Sequence, residues 1–216
     1  MARLKIAVVI SGRGSNLQAL IDSCADRAFP AEIVAVISNI PGAPGLARAE
    51  RAGIPIHVID SNGFARRADF DTALDAALAA GGAELVCLAG FMRLLSDGFV
   101  TKWRDRIINI HPSLLPAFPG LHTHERVLRA GARFTGCTVH FVRTEVDSGP
   151  IIVQAAVPVR DGDTTESLAA RVLEAEHIVY PEAVRLIALG RVRLQGEAVA
   201  IDGATAPDAV LVNPEP

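Results

Sequence analysis

Short apolar runs rich in β-branched residues recur through the first half of the chain, each followed by a polar or glycine break and then by a helical stripe. The runs are Lys5–Ile10, Glu32–Ser38, Ile56–Ile59, Leu85–Ala89 and Arg106–His111. Apolar residues that run on without alternating belong to strands covered on both faces, the situation of a parallel sheet. Between the runs, Leu17, Leu20 and Ile21 share one helical face, and so do Phe70, Ala73, Leu74, Ala77 and Leu78 within Arg67–Ala79. Gly45–Ala52, closed by Gly53, and Ser96–Trp103 read as shorter helices. Strands and helices alternating at this spacing predict an α/β fold: an open, mostly parallel twisted sheet with helices on both faces.

The second half changes character. A helix is expected from Leu121 through Ala130, then Thr135–Val142 alternates like a strand and Ile151–Val157 follows after the turn Glu145–Pro150. This part of the sheet should therefore be antiparallel. Thr164 or Thr165 caps a long helix, Glu166–Leu189, that closes at Gly190. Arg191–Val212 reads as short strands and turns, and Asn213–Pro216 as a fraying tail. No repeat, linker or low-complexity block interrupts the 216 residues, so a single domain is expected over 1–216, with residues 191–216 as an extension of a core at 5–190.

With 21 basic and 24 acidic residues the net charge is -3, which gives no footprint for nucleic acid or an anionic membrane. An anionic small molecule needs a local site. Cys24, Cys87 and Cys137 are widely spaced within apolar segments and read as reduced core residues rather than zinc ligands. No secretory signal and no apolar stretch of membrane length is present, and a cytoplasmic location is the expectation.

Ser11-Gly12-Arg13-Gly14-Ser15-Asn16 joins the first strand to the first helix. Glycines let backbone N–H groups turn inward, Ser15 and Asn16 can cap the helix, and a helix N-terminus favours an anion. A dinucleotide fingerprint is disfavoured because Leu17 stands at the third glycine position and Ser38-Asn39 ends the second strand without an acidic residue. A nucleoside triphosphate loop would need a lysine after Gly14. A small-phosphate cradle and a structural tight turn both remain.

On the fifth run, Asn109 and His111 stand two residues apart and face the same way. They lie at a strand's carboxyl end, where open α/β sheets hold ligands. Pro112, Pro116, Pro119 and Gly120 make the following loop a fixed wall rather than a helix. By itself the pair also suits a satisfied polar strand end, and Asp147 an ordinary turn aspartate. His122 and His124 lack an acidic third ligand at diagnostic spacing, so one or both are expected to line a substrate cleft rather than hold metal.

The run Asn109-Ile110-His111-Pro112-Ser113-Leu114-Leu115-Pro116, with Val146-Asp147-Ser148-Gly149-Pro150-Ile151, resembles the signature of the formyltransferases that use 10-formyltetrahydrofolate. The resemblance covers roughly Lys5 to Gly190 and implies a Rossmann-like formyltransferase fold. It implies Asn109, His111 and Asp147 as the catalytic set. Within that family, Ser11–Leu17 is similar to the loop of members acting on glycinamide ribonucleotide in purine synthesis. Gly14, Ser15 and Asn16 would then face the ribotide phosphate and Glu176 its ribose, with Leu173 departing from the usual polar residue nearby. Arg67, Met92, Arg93, Leu94 and Leu95, together with Asn109 and the turn Arg143, Thr144, Glu145, Val146 and Asp147, would face the folate. On residue type alone, Arg67 and Glu176 are solvated helix positions. The implied partners are small molecules, without metal, nucleic acid or membrane, in a monomer or homodimer. Other folate-dependent hydrolases and sugar-nucleotide formyltransferases, and a non-catalytic nucleotide-binding module, are the competing classes. Formylation of methionyl-tRNA would call for a further RNA-binding domain, for which 216 residues leave no room.

Overall fold

Each predicted apolar run forms a strand in the computed structural model, which describes residues 2–214. These strands are β1 (Leu4–Ile10), β2 (Ala31–Ser38), β3 (Ile56–Val58), β4 (Leu85–Leu88) and β5 (Ile107–His111). The helices between them are α1 (Ser15–Ala25), α2 (Leu46–Arg51), α3 (Arg67–Ala80) and α4 (Asp97–Lys102), with a 3-10 turn at Ser61–Gly63 that sequence periodicity did not announce. After β5 come α5 (Thr123–Arg129), β6 (Phe134–Phe141), β7 (Ile151–Pro158), α6 (Thr165–Ala188) and a hairpin of β8 (Val192–Gln195) and β9 (Ala198–Ile201). The large sheet has the order β3-β2-β1-β4-β5-β6-β7, parallel through β5 and antiparallel at β6–β7. The predicted fold class holds.

The chain divides into two units. The first runs to Asn109 and takes in Phe141–Glu145. Its centre is β1, where Ile6, Ala7, Val8, Val9 and Ile10 are all 0% exposed, so both faces of this strand are covered. Against one face, Phe70 of α3 packs edge-on to Phe64 and stacks on Phe91, surrounded by Val9, Ile37, Leu74, Leu78 and Val86. Strand β1 pairs with β2 on one side and β4 on the other. The chain reverses its direction of travel across the sheet there, so the loops after β1 and β4 part and leave a crevice at the strand ends.

The second unit comprises Ile110–His140 and the chain from Val146 onward. Here β6 and β7 pair antiparallel with Thr138 opposite Gln154, and α6 packs on β7. The start of α6 is a capping box: Thr164 Oγ1 accepts the Ser167 N–H, and Ser167 Oγ accepts the Thr164 N–H. Among the described residues, strand structure after Gly190 is confined to the β8–β9 hairpin, and Ala204–Val212 has none. The expected fraying does not extend to Asn213. Its amide donates to Arg133 O at 2.6 Å and Val159 O at 2.8 Å, an anchor that an isolated Asn-Pro gives no means of reading in sequence. Pro214 is exposed, and residues 215–216 of that predicted tail lie outside the described residues. Cys87 and Cys137 are buried as expected, whereas Cys24 is only half-buried. Burial pushes the Cys24 thiol up to about 11 and the Cys137 thiol up to about 12.

Gly136 makes the β6–β7 pairing sensitive to a single methyl group, since a Cβ there would stand 1.8 Å from Ala155 O. Gly98, inside α4, faces open space. Gly136→Ala is expected to lower Tm severely or to leave the protein insoluble. Gly98→Ala should raise stability by about 0.5–1 kcal/mol through helix propensity alone. Thermal unfolding of the two variants checks this, and equal Tm values would refute the strand crowding.

Candidate active site

The loop after β1 is shaped by backbone contacts rather than by side-chain caps. Gly14 is the N-cap of α1 in the left-handed region, φ 69° and ψ 36°, and no side chain caps the helix. The predicted capping by Ser15 and Asn16 is therefore corrected: both lie inside the first turn, because only glycine enters that conformation without strain. A Cβ on Gly14 would stand 2.8 Å from Gly45 Cα, and Gly45 N–H donates to Gly12 O at 2.9 Å. Arg48 closes the outer side by donating from Nε to Arg13 O at 2.9 Å. The first-turn N–H groups of an uncapped helix suit an anion. Gly14 and Asn16 are buried and Ser15 is half-buried.

Ser11 bridges this loop to the one after β4. Its N–H donates to Gly90 O at 3.1 Å, while its hydroxyl accepts from Met92 N–H at 2.8 Å and donates to Asn39 Oδ1 at 2.6 Å. The β4 loop ends at Ser96, whose N–H donates to the buried Asp71 carboxylate at 2.7 Å. Between these anchors Met92 and Leu94 are 69% and 54% exposed, which is apolar surface open to a ligand. Leu95 turns toward the core, and the Arg93 guanidinium lies 4.7 Å from the Phe70 ring centroid. Arg67 opens α3 and is exposed. Arg143 is committed instead to Asp105, at 2.9 Å. Thr144, Glu145 and Val146 are exposed.

In β5, Asn109 is half-buried while the other four residues are buried. His111, two positions on, is held at both ring nitrogens. A carbonyl only accepts, so Nε2 carries a proton and donates to Phe118 O at 3.0 Å. Nδ1 faces Asp147 Oδ2 at 3.3 Å. The same oxygen accepts the Gly120 N–H at 2.7 Å, and Oδ1 stands 3.8 Å from Nε2 of His140. The Asp147 side chain is 11% exposed. Its backbone is left-handed, φ 53°, as are Phe118 at 53° and His122 at 56°. Each such non-glycine conformation costs about 1–3 kcal/mol and clusters where function demands it. The loop with its three prolines brings Phe118 and Gly120 back to the imidazole and to Asp147, which the turn between β6 and β7 supplies.

Glu176 is 7% exposed and lies close enough to Cys137 to raise its thiol further, so it is not the solvated position that residue type suggested. His124 is half-buried with Nδ1 unpartnered, and burial followed by the neighbouring His111 charge pushes it below the ordinary histidine range. Among the described residues no group of three or more His, Cys, Asp or Glu is arranged to hold a metal ion. A cavity of about 460 Å³ lies against the Asp147–Gly149 turn and Leu115-Pro116, with Glu197, Ala198 and Val199 of the hairpin as its other wall. No sequence signal joined that hairpin to the turn.

The formyl transferase model matches residues 4–184. The chain is 56% identical to the trifunctional purine biosynthetic protein adenosine-3 of Gallus gallus over 91% of its length, spanning 19% of that protein. It is 44% identical to the phosphoribosylglycinamide formyltransferase of Escherichia coli (strain K12), over 94% of this chain and 96% of that one. The crystal structure of glycinamide ribonucleotide transformylase 1 from Symbiobacterium toebii superposes with a TM-score of 0.90 at 50% identity, covering 92% of this chain and 94% of that one. The chain thus spans about a fifth of the trifunctional relatives and nearly all of the monofunctional ones.

The uncapped α1 makes the anion reading testable without disturbing the fold. Ser15→Asp places a carboxylate in the first turn, which favours the helix by roughly 0.3–1 kcal/mol while repelling an anion. Tm should hold or rise, and inorganic phosphate should bind at least about tenfold more weakly by calorimetric titration. Unchanged phosphate affinity would exclude this loop as the anion site.

Proposed function

The chain belongs to the formyl transferase family, and we propose that it moves the formyl group of 10-formyltetrahydrofolate onto the amine of glycinamide ribonucleotide, yielding formylglycinamide ribonucleotide for purine synthesis. The observation that carries the reading is His111 Nδ1 facing the buried Asp147 carboxylate at 3.3 Å, two residues beyond Asn109 on one strand. The amine attacks the formyl carbon, and the carbonyl oxygen becomes an oxyanion. Asn109 donates its amide to that oxygen without changing charge. His111 gives a proton to N10 of the folate, whose bond to the formyl carbon then breaks, and takes back the one lost by the attacking amine. No covalent enzyme intermediate is needed. Asp147 holds the imidazole in place and offsets positive charge on it.

Gly14, Ser15 and Asn16 take the ribotide phosphate at the uncapped α1, and Glu176 the ribose. Met92 and Leu94, with Arg93 and Leu95 behind them, take the folate with Arg67, Asn109 and the turn Arg143, Thr144, Glu145, Val146 and Asp147. The Arg143–Asp105 pair favours backbone rather than guanidinium contacts at that turn. The enzyme acts in the cytoplasm as a monomer or homodimer. Residues 1–216 form a single catalytic domain in which 191–216 is an extension.

Spectroscopic release of tetrahydrofolate from 10-formyltetrahydrofolate is expected only when glycinamide ribonucleotide is present. Release without the ribotide would point to hydrolysis, and no release under either condition would refute the enzyme reading. Asparagine tolerates the left-handed backbone at position 147 and can still accept from Gly120, so Asp147→Asn removes the charge alone. We expect kcat to fall about a hundredfold or more with a Tm close to wild type. Normal kcat with a lowered Tm would make Asp147 a structural turn residue only.

A further inference from the structure

We infer that Thr138 and Gln154 are positioning residues for His111, acting through the main chain of Ser113–Leu115; as a statement about catalysis this rests on the proposed formyl transfer. The two residues are direct partners across the antiparallel pair β6–β7, so their side chains leave the sheet on the same face. Thr138 is 0% exposed, and its hydroxyl has every valence occupied. It donates to Ser113 O at 2.7 Å and accepts from Leu115 N–H at 3.1 Å and from the Gln154 amide at 3.0 Å. The Gln154 amide also donates to Leu115 O at 2.9 Å. Two side chains thus hold three main-chain groups of the loop that follows His111.

The constraint passes onward. Ser113, also 0% exposed, directs its hydroxyl at Ala117 O at 2.6 Å and Phe118 O at 3.3 Å. Phe118 O is the acceptor for His111 Nε2 at 3.0 Å, and it sits on a left-handed residue, φ 53°, that reverts to an ordinary conformation unless its neighbours prevent it. If the Ser113–Leu115 segment loosens, the carbonyl moves and the imidazole loses its fixed donor bond. The ring can then turn away from Asp147. Gln154 is an exposed residue reaching inward with its amide, so its loss removes the clamp without opening the core.

The experiment compares Gln154→Leu, Thr138→Val, their double variant and Thr138→Ser. Gln154→Leu and Thr138→Val should each lower kcat by about tenfold, leaving both substrate KM values within about twofold, because geometry at the reacting atoms is lost and binding is not. The double variant should lose no more than the worse single one, as expected of links in one network. Thr138→Ser keeps the hydroxyl and should restore kcat to within about twofold of wild type. Solvent exchange of the His111 Nε2–H, followed by ¹⁵N NMR, should quicken in Gln154→Leu and Thr138→Val and stay slow in Thr138→Ser. That signal does not depend on turnover. Unchanged Nε2–H exchange in Gln154→Leu overturns the clamp whatever the activity, as does a kcat loss that merely tracks the unfolded fraction. Absent transfer by the wild type overturns the function instead, and the exchange measurement still decides the clamp.

Discussion

A carboxylate with 11% of its side chain exposed must be satisfied by donors, and the loop geometry of the second unit follows from that requirement at Asp147. One donor is the Gly120 N–H, which fixes where the loop after β5 must end. Another is the His111 ring, which fixes the strand from which the loop departs. Between these two points the chain has only Pro112–Pro119 to spend, and the strained backbone at Phe118 and Asp147 is the result. Removing one partner would leave the other buried and unpaired, a larger loss than the modest net gain of a single hydrogen bond. The arrangement is accordingly all-or-none, and it leaves the His111 ring one orientation.

The first unit meets a different requirement. A parallel sheet covered on both faces can offer ligands little except its strand ends, and β1 sits where the two loop directions diverge. Ser11 keeps that divergence from widening by bonding to Gly90, Met92 and Asn39 together. A helix start without a side-chain cap leaves backbone donors for a guest. An exposed Met92 and Leu94 leave an apolar surface that would be a liability in a protein with nothing to bind there.

The strands and helices were legible because their causes are local. Continuous apolar runs, a helical stripe such as Phe70–Leu78 and a threonine before α6 act over a few residues, and the structure has them within a residue or two. The placement of Asn109 and His111 two apart on one strand was legible for the same reason, since it needs no tertiary knowledge. What stayed hidden depends on contacts distant in sequence. Burial of Glu176, the grip of Asn213 on Arg133 and Val159, the pairing of Arg143 with Asp105 and the placement of Glu197–Val199 beside Asp147 arise from packing that no window of the sequence contains. The cap at Gly14 was missed for a subtler reason. Serine and asparagine are the usual capping residues, and a glycine held against another glycine overrides that preference.

That contact between Gly14 and Gly45 also sets how this loop can diversify. Gly14 is restricted twice, by φ 69° and by a neighbour 2.8 Å from its missing Cβ, and Gly45 is restricted by Ile10 Cδ1 at 2.6 Å and Gly12 O at 3.0 Å. Gly12, two residues from Gly14, faces open space at an ordinary φ. Variation in the loop is therefore free at one glycine and closed at the next. Because the two crowded glycines belong to segments some thirty residues apart, a larger residue at either cannot be relieved by trimming the other, which has no side chain left to shorten. An engineer seeking to reshape this loop would recruit Gly12 and the exposed Arg13, and leave the Gly14–Gly45 crossing as the hinge pin around which those changes are made.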